Sequence, residues 1–268
     1  MYLAGTHVVL TGASRGIGLE LARVLAARGA RLSIVARNRE LLRKVADEIG
    51  AHPLPTDLSD LTQVDALLPA AREANGPVDV VINNAAINIP GALIHLTGEQ
   101  VRTVLTTNLI APLELCRQAL QEMTARDHGM VVNVGSLAGE LAMRNVIPYS
   151  ASKAGLAIAT RAMHRELRGT RVKAQMVVLG VVDTDMIADT NADPVGAQIA
   201  KRFAALPSVA PDIVAERIVE GIEADRKGQV IPSLGAPFHH IRLIPTRIAD
   251  AILVGSPRSL GPGGSVPR

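Results

Sequence analysis

Residues 7–233 alternate short apolar, β-branched runs with longer stretches of helical periodicity. "HVVLTG" (7–12), "RLSIVAR" (31–37), "AHPLPTD" (51–57), "VDVVINNAA" (78–86), "GMVVNVGS" (129–136), "RVKAQMVVLG" (171–180) and "GQVIPS" (228–233) read as strands or strand and turn. Most are apolar throughout rather than alternating, the pattern of strands buried on both faces. Helical patterns separate them over residues 17–30, 38–50, 60–75, 98–126, 149–168 and 210–224, with 186–208 part helix and part loop. Asn38 is the expected N-cap and Gly50 the C-cap of the second helix. The prolines of "AHPLPTD" cannot donate to a ladder, so that strand belongs at a sheet edge. This order specifies an α/β fold: a doubly wound, mainly parallel sheet of about seven strands with helices on both faces.

The rest of the chain narrows the class by exclusion. Hydrophobic residues make up 48%, nearly all Ala, Val, Leu and Ile, which suits buried strands under Ala-rich helices. The net charge of +3 is dispersed, with no nucleic-acid arm and no polybasic membrane patch. A single cysteine, Cys116, sits in an apolar helical pattern, so it reads as a buried small hydrophobe in a protein of a reducing, cytoplasmic compartment. The N-terminus reads as a strand rather than a signal peptide, and no stretch reaches the roughly 18 apolar residues of a membrane span. None of the histidines has zinc-ligand spacing, and "HH" at 239–240 reads as solvated or packing, so no metal is expected. One domain is expected over 1–254, with its core at about 5–232 and an extension at 233–254. Residues 255–268, rich in Gly, Pro and Ser, read as a disordered tail.

"TGASRGIG" (11–18) falls between the first strand and the first helix. Gly12 permits the tight turn, Gly16 close approach of backbone to a pyrophosphate, and Gly18 close packing of helix on strand, the Rossmann-type arrangement. At the end of the second strand, where a carboxylate would hold a ribose 2′-hydroxyl, the chain reads Ala36-Arg37. Arg37 and Arg15 are two cations suited to a 2′-phosphate, so NADP(H) is expected over NAD(H).

The chain has only two tyrosines, and one of them, Tyr149, stands four residues before Lys153 in "YSASK". Together with "TGASRGIG", "NNAA" (83–86), "TTNLIAP" (106–112) and "NVGSLAG" (133–139), this resembles the classical short-chain dehydrogenase/reductase family over residues 5–232. Ala86 replaces a glycine of the family, and in "LGVVDTDM" (179–186) Leu179 replaces a proline, a change expected to loosen that turn.

The resemblance implies interconversion of a ketone and a secondary alcohol, with Asn108, Ser136, Tyr149 and Lys153 as the catalytic group. Tyr149 is the implied acid/base. A phenol near pKa 10 needs help at neutral pH, and Lys153 one turn away on the same helix face is expected to lower its pKa. Ser136 would bond the substrate oxygen, and Asn108 would anchor a water relaying protons to Lys153. The cofactor contacts implied are Gly12, Ser14, Arg15, Gly16, Ile17, Gly18, Arg37, Asp57, Leu58, Asn84, Ala85, Tyr149, Lys153, Val182 and Thr184. Asn83 matches a position that steadies the central strand, and Asp57 stands either beside the adenine or as a helix N-cap.

Specificity is expected from residues 87–97, 137–147 and 186–208, whose apolar content suits a lipid-like, steroid-like or alicyclic carbonyl. A carrier-linked 3-oxoacyl group and a 3-ketosphinganine-type lipid are alternatives, as is a non-catalytic NADP(H)-sensing regulator on the same fold. The family implies a homodimer or homotetramer joined through the helices at 98–126 and 149–168. Residues 237–254 read as a pocket cap or subunit contact in preference to a membrane contact.

Overall fold

The computed structural model describes residues 1–141, 143–182 and 208–232. Its sheet has seven parallel strands: β1 His7–Thr11, β2 Arg31–Ala36, β3 His52–Pro55, β4 Val80–Asn83, β5 Met130–Ser136, β6 Lys173–Leu179 and β7 Gly228–Ile231. They lie in the order β3-β2-β1-β4-β5-β6-β7. β3, with its two prolines, is the edge strand, as the sequence required.

Helices α1 Gly16–Ala27, α2 Arg39–Ile49 and α7 Pro211–Glu223 cover one face; α3 Leu61–Asn75, α5 Ala111–Ala125 and α6 Ile147–Glu166 cover the other. Leu10, Ile34, Ile82, Val132 and Val177 fill the first core beneath Leu21, Leu25, Ile218 and Ile222. Val9, Val35, Val81 and Val131 fill the second beneath Leu68, Leu115 and Met123. The chain order reverses direction between β1 and β4, which opens a crevice beyond their C-terminal ends.

Local chemistry accounts for several boundaries. Asn38 Oδ1 accepts from Leu41 N at 3.0 Å, and Gly50 takes the left-handed φ of 69° that ends α2. Asp60, not Asp57, caps α3, accepting from Thr62 N at 3.0 Å.

The helix expected over 98–126 is divided into α4 Gly98–Leu105, a π turn Thr106–Ile110, and α5. Pro112 explains the break. It has no N–H for the carbonyl of Asn108 four residues earlier, and its ring would crowd that carbonyl, so the ladder widens at that point.

Polar side chains stitch the interior. Asn83 Nδ2 donates to Asn133 Oδ1 at 2.8 Å, and Asn133 Nδ2 donates to Thr160 Oγ1 at 2.9 Å, tying β4 to β5 and β5 to α6. Cys116 is fully buried against this ladder, and burial pushes its thiol up to about 12.

At the opposite end of the sheet His7 is fully buried, Nδ1 on Gly76 O at 2.9 Å and Nε2 on Ser33 Oγ at 2.8 Å. Desolvation holds its pKa below the ordinary 6.5, against the opposing pull of its backbone partners. A lowered folded pKa means that the unfolded chain takes the proton first as pH falls. The stability His7 contributes is therefore complete above about pH 6.5 and is lost as pH drops through that value toward the folded pKa. Urea titrations at about pH 7.5 and 5.5 are expected to show a smaller acid loss in His7→Gln than in wild type; equal losses would refute the assignment.

Candidate active site

The glycine turn closes over the C-terminal end of β1. Gly12 N and Ala13 N both donate to Val35 O, at 2.7 and 3.1 Å, which sets the turn beside the end of β2. Gly12 and Gly16 have φ of 73° and 54°, in the left-handed region. A Cβ on Gly18 would lie 1.9 Å from Gly12 O, so only glycine lets α1 begin directly on the turn.

Thr11 Oγ1 accepts from Asn84 N and Ala85 N, both at 3.0 Å, and Asn84 Nδ2 donates to Thr11 O at 3.0 Å. Asn84 and Ala85 thus hold the loop after β4 against the turn. Thr11, unremarked in the sequence, is the residue that joins them.

Several features fit a dinucleotide phosphate. The N-caps of α2, α3 and α4 are Asn38, Asp60 and Thr97, whose side chains occupy first-turn N–H groups. α1 starts after Arg15 with no side-chain cap bond and no acid in its first turn, so its N–H groups remain for an anion. Ser14 and Ile17 are half-buried on the same turn, and Arg15 and Arg37 are exposed beyond β1 and β2. Asp57 Oδ1 accepts from Ser59 N and Ser59 Oγ, at 2.9 and 2.7 Å. Leu58 is packed in the second core, which leaves its backbone alone for a ligand.

Val182 is likewise packed in the first core, bridging Val209, and Thr184 lies outside the described residues. So do most of 186–208, and the extension and tail beyond 232. Leu179 ends β6 in register with Ser136 and Ile231, and Gly180 N donates to Ile231 O at 2.8 Å, while residues 183–186 of the turn lie outside the described residues. A proline there would have removed a ladder donor, so the leucine extends the strand.

The catalytic candidates converge from three elements. Ser136 ends β5, Tyr149 and Lys153 lie on α6, and Asn108 lies in the π turn. Ser136 stands beside the Tyr149 hydroxyl and acts to lower its pKa. Gly139 permits this approach, since a Cβ there would come within 2.8 Å of Lys153 C and Ala154 N.

Lys153 is 3% exposed, and its Nζ donates to Val134 O at 2.8 Å while standing 5.9 Å from the Tyr149 ring centroid. Asn108 is fully buried. Its amide closes a ring with Ile87, accepting from Ile87 N at 2.9 Å and donating to Ile87 O at 2.8 Å. Asn108 Nδ2 also reaches Ser152 Oγ at 3.3 Å, and Ser152 Oγ donates to Tyr149 O at 2.6 Å. Ser152 is therefore a structural link between Asn108 and Tyr149 that lay unnoticed inside "YSASK".

The electrostatics correct one expectation. Lys153 does not pull the Tyr149 pKa down here: burial pushes the phenol above its ordinary 10, and Ser136 opposes this only partly. The ammonium faces Val134 O and the ring rather than the hydroxyl. Burial also lowers Lys153 itself to about 8, so it keeps most of its charge at neutral pH. The arrangement offers a neutral phenol as proton donor, a hydroxyl beside it, and a buried cation one turn behind.

Residues 6–195 match the family model described as short chain dehydrogenase. The chain belongs to the short-chain dehydrogenase/reductase family. It is an oxidoreductase of the kind that works with a nicotinamide dinucleotide. It is 37% identical to the ketoacyl reductase HetN of Nostoc sp. over 227 residues, 82% of this chain and 76% of that one. It is 36% identical to a 3-oxoacyl-[acyl-carrier-protein] reductase of Bos taurus, over 67% of this chain and 77% of that one. A short-chain dehydrogenase/reductase from Burkholderia phymatum, solved in complex with NAD, superposes with a TM-score of 0.81. It covers 89% of this chain and 93% of its own at 23% identity, a likeness of fold. Among the described residues, no helix is long and apolar enough to cross a membrane, and no cluster of His, Cys, Asp and Glu could hold a metal.

Proposed function

We propose that the chain is an NADPH-dependent reductase of 3-oxoacyl thioesters with apolar acyl groups. The observation that carries the reaction is the neutral, half-buried phenol of Tyr149 beside Ser136 with the Lys153 ammonium behind it. Bound NADPH supplies hydride to the carbonyl carbon. Ser136 Oγ donates to the carbonyl oxygen and fixes its position. Tyr149 gives its proton to that oxygen as it becomes an alkoxide, and the buried Lys153 ammonium one turn behind is the cation of the site.

The ketoacyl and 3-oxoacyl reductases among the relatives favour the carrier-type substrate over a steroid-like or alicyclic one. An apolar wall supports an acyl chain: buried Met143 and Val146 pack with Ala138, Leu141 and Tyr149 itself. The preference for NADPH rests on Arg15 and Arg37 and on the missing carboxylate after β2.

Arg37→Asp is expected to lower kcat/KM for NADPH by about 10- to 100-fold, the loss of one or two charge-assisted bonds, and to leave NADH use unchanged or better. Steady-state rates with each cofactor test this; a wild type that uses NADH as well as NADPH would sink the assignment. Assembly as a homodimer or homotetramer through the helices at 98–126 and 149–168 is part of the same reading, supported by Ile110 of the π turn and Ile158 of α6, which are 44% and 53% exposed.

A further inference from the structure

Helices α2, α3 and α4 are held at their starts by the side chains of Asn38, Asp60 and Thr97. α6 is not. Its N-cap is Val146, which has no oxygen to offer, and the first turn that follows, residues 147–150, carries Tyr149. The position of that turn depends on the backbone around it.

Asn145 stands just ahead of this turn with a φ of 63°, in the left-handed region, and is 8% exposed. Among the described residues two other non-glycine residues have such a φ, Asp127 and Asp225. Each follows the end of a helix, α5 or α7, where a left-handed residue is the ordinary stop. Asn145 ends no helix, and a left-handed residue elsewhere persists only where its surroundings hold it.

What holds it is the loop after β4. Asn145 O accepts from Gly91 N at 2.8 Å. Four residues earlier in that loop, Ile87 has both backbone groups on the Asn108 amide; Asn108 Nδ2 reaches Ser152 Oγ, and Ser152 Oγ donates to Tyr149 O. The loop therefore grips the turn that carries Tyr149 from both sides, through Asn145 before it and Ser152 after it. Met143 and Val146, which flank Asn145, pack with Tyr149.

We infer that Asn145 is a positioning residue: its left-handed backbone, tied to Gly91, sets the first turn of α6 and with it the place at which Tyr149 meets the substrate oxygen. This rests on the reading of Tyr149 as the proton donor. The role belongs to the backbone and not to the amide side chain. Glycine takes this φ freely, whereas a β-branched residue is disfavoured there by about tenfold. Asn145→Val is thus expected to give up the Gly91 bond and let the turn shift. Gly91→Ala strikes the same bond from its other end, because Gly91 has a φ of 153° and a Cβ there would lie 3.1 Å from Leu96 Cδ2.

The test uses the full chain, first without substrate. Tyr2 and Tyr149 are its only tyrosines, so carbon-13 labelling at tyrosine Cζ gives one NMR signal for each, assigned by Tyr149→Phe. The Tyr149 signal is expected to move in Asn145→Val and Gly91→Ala and to stay in place in Asn145→Gly. With NADPH and acetoacetyl-N-acetylcysteamine, kcat is expected to fall about tenfold in Asn145→Val and in Gly91→Ala, and no further when the two are combined, since both break one bond. Asn145→Gly is expected to keep kcat within about twofold, and all variants to keep Kd for NADPH within about twofold. If one variant fails to fold, the other reads the same bond. An unmoved Tyr149 signal or a wild-type kcat in Asn145→Val and Gly91→Ala, or an Asn145→Gly that behaves like Asn145→Val, would overturn the role of Asn145. Wild-type kcat in Tyr149→Phe would instead overturn the reading of Tyr149. A wild type that leaves the thioester unreduced would overturn the 3-oxoacyl reading, and the NMR comparison would still decide the role of Asn145.

Discussion

Tyr149→Phe is expected to reduce turnover by about 10²- to 10⁴-fold, the range a positioned acid/base supplies, while leaving NADPH binding nearly unchanged. The substitution removes one oxygen. The ring packs with Met143 and Val146, contacts that Phe keeps. The fold is therefore preserved, and the loss falls on kcat rather than on KM for the cofactor. NADPH fluorescence titration and steady-state rates separate the two quantities. A variant with wild-type kcat would remove Tyr149 from the chemistry; a variant that no longer binds NADPH would mean that the hydroxyl serves binding instead.

Gly18→Val is expected to cost about 3 kcal/mol or more of stability and to abolish cofactor binding together with it. The new Cβ would meet Gly12 O at 1.9 Å and the Asn84 amide at 2.7 Å. Both are fixed: Gly12 N is bonded to Val35 O, and Asn84 Nδ2 is bonded to Thr11 O. Helix α1 would have to lift from the turn, breaking the packing of Leu21 and Leu25 on the sheet. Gly50→Ala is the control. Gly50 has a left-handed φ of 69° but open space around its Cβ, so its substitution costs only about 1 kcal/mol of backbone strain. Thermal melting with and without NADPH tests the pair. Equal losses for the two variants would show that the close approach at Gly18 does not matter.

What could be read from the sequence was what periodicity and backbone chemistry encode. Continuous apolar runs gave the parallel strands, Pro53 and Pro55 marked the edge, and Asn38 and Gly50 marked the ends of α2, because each effect is local. The π turn has a signal in the sequence, Pro112 inside an expected helix, four residues after Asn108. Other features depended on contacts distant in sequence. Spacing puts Tyr149 and Lys153 on one face of α6, but only the fold shows Lys153 turned toward Val134 O and the phenol raised by burial. Thr11 and Ser152 carry no motif signature of their own, and their roles emerge once β4 and the π turn are placed beside them. The place of Leu179 at the end of β6 emerges once Ser136 and Ile231 lie beside it.

The central claim is that this site reduces a 3-oxoacyl thioester with NADPH. Its most direct test is wild-type protein with NADPH and acetoacetyl-N-acetylcysteamine, following NADPH loss and the 3-hydroxyacyl product together. The expected result is one product formed for each NADPH oxidised, at a rate that Tyr149→Phe removes. NADPH binding without turnover of this thioester would contradict the account and favour a cofactor-sensing role for the same fold.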